Sequence, residues 1–99
     1  MEEITQVIFR EKAKRSIKDI ALHIEESGYP ETSEKFSQRL VEFGYSLATF
    51  PNKYAVCRFK RFARYNLRCA SFERNYIFVY KLVKNELLIY TIAYTKRLK

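Results

Sequence analysis

The residues best suited to chemistry in this chain are arginines, lysines and tyrosines, and they concentrate in its second half. Residues 53–99 contain twelve Lys or Arg against two Asp or Glu, whereas residues 1–52 contain seven against nine. The formal net charge of +8 is therefore unevenly distributed: the first half of the chain is near neutral, and the second half carries about +10. Arginine can hold two phosphate oxygens at once, and tyrosine rings stack on bases. This composition predicts an anionic partner, either nucleic acid, an acidic protein segment or a membrane surface.

Length and composition indicate one compact domain over residues 1–99. The chain is 47% hydrophobic and has only two Gly and two Pro, which argues against disorder. No apolar run approaches the roughly 20 residues that span a bilayer. The N-terminus, Met1 to Ile4, is acidic and lacks the pattern of a signal peptide. We therefore expect a cytoplasmic protein.

Catalysis by a metal or by a nucleophilic side chain has little support in the sequence. The two cysteines, Cys57 and Cys69, lack metal-ligand spacing, and the one histidine, His23, lies far from them in the chain. A helical position near an apolar stripe suits His23 as a structural or surface residue. We expect no metal and no cofactor. In a reducing compartment both cysteines should be free thiols, small residues of the core.

Hydrophobic spacing predicts one strand followed by two helices. Residues 6–9 form a short apolar run typical of a strand. Helical periodicity follows over residues 11–26, and Gly28 suits the position just after a helix end. A second helix is predicted from about Glu31 to Thr49, ended by Pro51. The apolar stripes are Ala13, Ile17, Ile20, Ala21 and Ile24 on the first helix, and Phe36, Leu40, Phe43 and Leu47 on the second.

The rest of the chain reads as an antiparallel meander. Residues 55–60, 66–72, 76–83 and 87–94 are rich in aromatic and β-branched side chains and are separated by short polar breaks. The predicted order is β-α-α-β-β-β-β. Each helix offers one apolar stripe, so we expect an α+β domain with a helical hairpin packed on one face of a twisted, mainly antiparallel sheet.

Strand register gives a first set of candidate site residues. A hairpin turning near residue 63 would place Cys57 opposite Cys69 on the helix-covered face. A hairpin turning near Arg74 would place Arg68 opposite Tyr80. The uncovered face would then be basic and aromatic, although a solvated face of ordinary composition is the alternative. The predicted binding residues on this face and in the first hairpin loop are Arg58, Lys60, Arg61, Arg64, Arg68 and Tyr80.

Three local motifs in this order resemble a known family. A Leu-x-x-x-Pro motif starts at Leu47, a Tyr-x-x-x-Tyr motif starts at Tyr76, and an apolar strand ends in Tyr94 followed by Thr-Lys-Arg. Together with the length, the charge and the two leading helices, they resemble the RelE/ParE toxins of type II toxin–antitoxin systems, often labelled plasmid stabilisation proteins. The similarity spans about residues 4–97.

The resemblance implies a growth inhibitor that is neutralised by an acidic antitoxin encoded beside it, with no membrane partner. ParE-like members act on DNA gyrase, whereas RelE-like members cut mRNA on the ribosome without a metal. For RNase activity, the resemblance and the register together suggest a catalytic set of Arg68, Tyr80, Tyr94, Lys96 and Arg97. Lys96 and Arg97 would also contact the target if the toxin only binds it.

Two departures from the RelE pattern favour a binding toxin over an RNase. Ile77 stands where an arginine usually follows the first tyrosine, and Tyr94 stands where many members have histidine. An unperturbed tyrosine has a pKa near 10, which makes it a poor base at neutral pH. The expectation is a toxin acting on gyrase or on ribosome-bound mRNA, with the former favoured. A basic RNA- or DNA-binding module without toxicity is the alternative.

Overall fold

The computed structural model describes residues 4, 6–28, 30–51 and 53–95, and it contains two long helices and a four-stranded sheet. Lys96 and Arg97 lie outside these described residues. The elements are β1 Gln6–Phe9, α1 Glu11–Glu26, α2 Pro30–Ser46, α3 Lys60–Ala63, β2 Arg68–Phe72, β3 Tyr76–Val83 and β4 Glu86–Tyr94.

The sheet has the strand order β1-β4-β3-β2. Strands β2, β3 and β4 form an antiparallel meander, and β1 lies parallel to β4 at the edge of the sheet. The two helices between β1 and the meander allow this parallel pairing, which a tight hairpin could not make. The predicted α+β fold, with a helical hairpin against a mainly antiparallel sheet, is confirmed.

The first strand of the predicted meander is reduced to a single bridge. Val56 pairs with Arg68, and the chain then turns into the one-turn helix α3. The amide of Ala63 donates to the carbonyl of Phe59 over 2.8 Å, which closes that turn. Residues 60–63, Lys-Arg-Phe-Ala, include good helix formers, and they replace the predicted end of a strand and its hairpin.

The two predicted helical stripes form the main core. Ala13 and Leu40 are fully buried, and they pack with Ala70, Phe78 and Tyr80 of the sheet. We call this side of the sheet the helix-covered face. Aromatic contacts stabilise the core on this face, because the ring centroid of Phe43 lies 4.9 Å from that of Phe72 and 4.9 Å from that of Phe78. The prediction that the aromatic stripe of the second helix is core is confirmed.

The chain between α2 and β2 covers part of the opposite side of the sheet. Ile77 and Val79 point there, and Cys57 and Leu67 are buried against them. We call this the second face. Because residues of this segment cover part of the second face, the prediction that one face of the sheet is open to solvent is wrong. Other members of this second cluster are Phe59, Phe62, Cys69, Tyr90 and Ala93.

Candidate target-binding surface

The segment after α2 passes from one face of the sheet to the other. Tyr54 packs with the main core, whereas Cys57 packs on the second face, and Val56 between them bridges the edge of β2. Phe59 and Phe62 then anchor the following residues by their rings, whose centroids lie 6.4 Å apart. The sequence therefore folds residues 57–66 as a basic loop held at the second face by its apolar members.

The basic side chains of this loop point outward. Arg58, Lys60, Arg61 and Arg64 are all exposed, and Tyr65 beside them is 58% exposed. Residues 53–67 contain no Asp or Glu. Among the described residues, none of these four cations makes an ion pair within 4.0 Å; the two ion pairs join Lys14 to Glu11 and Arg39 to Glu73. We call Arg58, Lys60, Arg61 and Arg64 the basic cluster.

The geometry of the basic cluster suits an anionic surface. The Arg61 guanidinium carbon lies 5.1 Å from the centroid of the Phe62 ring, a cation–π contact that orients the side chain without neutralising its charge. Exposed, unpaired guanidinium groups can hold carboxylates or phosphates in two-pronged hydrogen bonds. The predicted residues Arg58, Lys60, Arg61 and Arg64 thus lie together, on a short helix and its flanks rather than on a strand and a hairpin loop.

The placement of Tyr80 on an open face is wrong. Tyr80 has no exposed surface and lies on the helix-covered face, where its hydroxyl donates to the carbonyl oxygen of Pro51 over 2.9 Å. Burial raises the pKa of Tyr80 to about 12, although Arg68 nearby opposes the rise and Tyr54 adds to it. A phenol held neutral and hydrogen-bonded in the core cannot take a proton from a ribose hydroxyl at neutral pH.

Arg68 also lies on the helix-covered face, beside Tyr80. The two residues are register partners, as predicted, so they share one face of the sheet. The Arg68 guanidinium is partly buried, and its Nη1 donates to the carbonyl oxygen of Tyr54. The register of the second hairpin was right, but its faces were inverted, because the bulky Phe78 and Tyr80 fill the space under the helices.

Tyr94 lies at the far end of the sheet from Arg68. It pairs with Tyr76, four residues along β3 from Tyr80, a separation of about 13 Å along an extended strand. The rings of Tyr76 and Tyr94 have centroids 5.5 Å apart. Burial, and to a lesser degree Tyr94, raises the pKa of Tyr76. Arg68, Tyr80 and Tyr94 do not converge on one point.

Tyr76 and Tyr94 instead line a pocket of about 460 Å³ against α1. Sequence reasoning missed its helical wall and treated His23 as structural or surface. Asp19, His23 and Glu26 stand at positions i, i+4 and i+7, which share one face of a helix. This spacing was the sequence signal that could have predicted the helical wall of the pocket. The helical wall consists of Asp19, Ile20, Leu22, His23 and Glu26.

The two cysteines are joined as a disulfide, which overturns the expectation of free thiols. The Sγ atoms of Cys57 and Cys69 lie 2.09 Å apart. The expected pairing of Cys57 opposite Cys69 is shifted: Cys57 donates its amide to Leu67 and Cys69 to Ala55. The two side chains still share the second face, which brings their sulfurs together.

Neither a metal centre nor a membrane span emerges from the described part of the chain. No group of three or more His, Cys, Asp or Glu within those residues could hold a metal ion. No helix within the same ranges has both the length and the apolar character that crossing a membrane requires.

Comparison with protein families decides the relationship. Residues 7–98 match the family model for the ParE toxin of the type II toxin–antitoxin system parDE. The chain belongs to the ParE toxin family. It is thus the toxin component of a type II toxin–antitoxin system, and the alternative of a non-toxic binding module is set aside.

Solved structures agree with this ParE-family assignment at the level of the fold. A chain from the chromosomal ParDE TA system of P. aeruginosa superposes with a TM-score of 0.75 at 20% sequence identity. The match covers 93% of this chain and 97% of that one. No curated protein matches the chain in sequence.

Proposed function

We propose that this ParE-family toxin arrests growth by binding DNA gyrase through the basic cluster, without cutting RNA. The proposal rests on a difference in exposure between the basic side chains and the tyrosine that were predicted to act at the site. Arg58, Lys60, Arg61 and Arg64 are exposed and free of ion pairs among the described residues, whereas Tyr80 is buried and hydrogen-bonded. A binding toxin needs only the cationic surface, but a metal-free RNase also needs a positioned base.

The remaining candidate base supports the same conclusion. Tyr94 is about four strand residues away from the Arg68–Tyr80 pair, and it faces the α1 pocket that also contains Asp19 and Glu26. Carboxylates beside a scissile phosphate would repel it, because like charges raise the energy of the bound anion. The pocket at Tyr94 therefore disfavours phosphate chemistry.

We further propose that the toxin acts in the cytoplasm and is neutralised there by an acidic antitoxin. Residues 53–99 carry a charge of about +10, which attracts an acidic segment and speeds its association. A segment that folds as it binds can cover a large surface. Copurification in low salt and dissociation in about 1 M salt would support a contact dominated by charge. The absence of a stable complex with the product of a neighbouring gene would contradict this proposal.

A triple variant tests the proposed target. We expect Arg58→Gln, Arg61→Gln and Arg64→Gln together to abolish growth arrest and inhibition of purified gyrase. The matched control is Lys12→Gln, Arg15→Gln and Lys18→Gln, which removes the same charge from exposed positions on α1. This control should remain toxic.

Two measurements on arrested cells separate the possible targets. Filamentation and DNA damage with intact mRNA would support gyrase, whereas cleaved mRNA with intact DNA would contradict the proposal and point to the ribosome. Equal toxicity of the two triple variants would contradict the assignment of the basic cluster. Circular dichroism of each variant confirms that it is folded.

A further inference from the structure

The Cys57–Cys69 disulfide closes the base of the basic loop. The two cysteines are 12 residues apart, and every member of the basic cluster lies between them. Cys69 belongs to strand β2, whereas Cys57 belongs to the irregular segment that crosses the sheet edge. The disulfide thus fastens the loop to the sheet at one point.

The other attachments of the loop are sparse. The amide of Cys57 donates to Leu67 over 2.8 Å, and the amide of Cys69 donates to Ala55 over 3.3 Å. Phe59 and Phe62 are only partly buried on the second face. Residues 57–66 belong to no described strand, and the chain joins the sheet ladder just before them, at the Val56–Arg68 bridge.

The short helix inside the loop depends on that attachment. Helix α3 has four residues, and its N-terminal neighbour Phe59 makes no side-chain capping hydrogen bond. A single helical turn is unstable without tertiary support, because nucleation fixes several dihedral angles for very few hydrogen bonds. The loop also includes Asn66 at a φ of 57°, a left-handed conformation that asparagine tolerates but does not require. Loosening the base of the loop should therefore disperse the basic cluster.

We propose that Cys57–Cys69 is a redox-responsive site whose reductant is a cellular thiol, either a small-molecule thiol or a protein dithiol. Oxidation holds the basic cluster in one arrangement, and reduction releases it. The consequence for toxicity rests on the proposed role of that cluster in binding gyrase. Because cytosolic thiol pools keep most cysteines reduced, the site is oxidised when that pool becomes oxidised.

The difference in exposure between the two cysteines sets the order of the reaction. Cys57 is 4% exposed, whereas Cys69 is partly exposed, so the incoming thiolate attacks Sγ of Cys69. The disulfide bond breaks, its electron pair goes to Sγ of Cys57, and that thiolate takes a proton from solvent. A second thiol then attacks the mixed disulfide and frees Cys69, which is also protonated. The protein gains two electrons and two protons, and the two reductant thiols become one disulfide.

Hydrogen–deuterium exchange on the purified full chain tests the site without reference to any target. We expect dithiothreitol to speed exchange at least tenfold in residues 58–66 while β3 and β4 stay protected. Tryptic cleavage after Arg58, Arg61 and Arg64 should accelerate in parallel. Mass spectrometry with alkylation confirms the oxidation state of each sample. Unchanged exchange after complete reduction would overturn the proposal, as would equal loss of protection throughout the sheet.

A double variant is the matched control. Cys57→Ser with Cys69→Ser should resemble the reduced protein in the loop and should not respond to dithiothreitol. A response of the double variant equal to that of the unchanged protein would overturn the proposal, because the effect of dithiothreitol could not then come from this disulfide. The reduction experiment on the unchanged chain remains decisive if the double variant does not fold.

A supercoiling assay with purified gyrase tests the functional consequence. We expect the oxidised toxin to inhibit at concentrations about tenfold lower than the reduced toxin. Equal inhibition by both forms, despite the change in exchange, would overturn the regulatory role. Inhibition by neither form would instead overturn the proposed gyrase target, while the exchange data alone would decide whether the redox site exists.

Discussion

The hydroxyl of Tyr80 donates a hydrogen bond to the backbone carbonyl of Pro51, with 2.9 Å between the two oxygens. Tyr80 lies in the centre of β3 with no exposed surface, and Pro51 lies just beyond α2. This bond ties the start of the segment that crosses the sheet edge to the middle of the sheet. It gives the tyrosine a structural role in positioning the loop that follows.

We expect Tyr80→Phe to lower stability while leaving growth arrest intact. The variant keeps the ring but loses the hydrogen bond, which typically contributes about 1 kcal/mol to the free energy of unfolding. Urea denaturation measures this loss, and induced expression measures toxicity. A folded variant that no longer arrests growth would show that the hydroxyl takes part in the activity.

The raised pKa of Tyr80 predicts a loss of stability at high pH. A pKa of about 12 in the folded protein, against about 10 when unfolded, means that the folded state holds the phenolic proton more tightly. The resulting stabilisation is fully present below pH 10 and is lost as the pH rises toward 12, at up to about 1.4 kcal/mol per pH unit. Urea denaturation between pH 8 and pH 11.5 should show this decline.

Tyr80→Phe is the control for the pH dependence, because it removes the titrating group. Its decline in stability above pH 10 should be shallower than that of the unchanged protein. Tyr65→Phe, at a position that is 58% exposed, should leave the decline unaltered. Equal slopes in all three proteins would contradict the assignment of the pH effect to Tyr80.

Gly44→Ala should destabilise the protein, although alanine usually stabilises a helix relative to glycine by about 1 kcal/mol. A Cβ at this position of α2 would lie 3.0 Å from Cδ1 of Ile89 and in still closer contact with the Phe9 ring. Overpacking of this kind typically costs about 1–3 kcal/mol, so the steric effect exceeds the gain in helix propensity.

A change at Phe9 distinguishes the two effects. In a Phe9→Ala background the nearest obstacle is removed, and Gly44→Ala should become neutral or stabilising. Thermal or urea unfolding of the four proteins in this cycle measures the coupling between the two positions. A stabilising Gly44→Ala in the unchanged background would show that β1 and α2 do not approach as closely as described.

Arg68→Ala and Arg58→Ala should have opposite consequences. Arg68 donates to the Tyr54 carbonyl from a partly buried position, and loss of a hydrogen bond from a charged group costs about 1.5–3 kcal/mol. Arg58 is exposed, so its removal should change stability by less than about 0.5 kcal/mol but weaken toxicity. Urea midpoints measure the stability of the two variants, and growth assays measure their toxicity. The reverse result would restore Arg68 as a target-binding residue.

Local sequence patterns determined the class of the fold and its longer helices and strands, but not the short helix α3. The spacing of Ala13 and Ile17 on α1, and of Leu40 and Phe43 on α2, identified the core stripes because an apolar stripe must be buried. The polar break at residues 73–75 set the register that pairs Arg68 with Tyr80. The concentration of Lys and Arg after residue 52 identified the basic loop, which depends on composition and not on contacts.

Only the tertiary structure decided which face of the sheet each residue meets. Alternation along a strand has a period of two, so the same pattern fits either face, and a central sheet with apolar residues on both sides lacks a polar side to distinguish them. Tyr80 is buried because the helices cover its face, and Val79 is buried because residues 57–67 cover the other. The Cys57–Cys69 disulfide depends on that same long-range packing, which no spacing between two cysteines reveals.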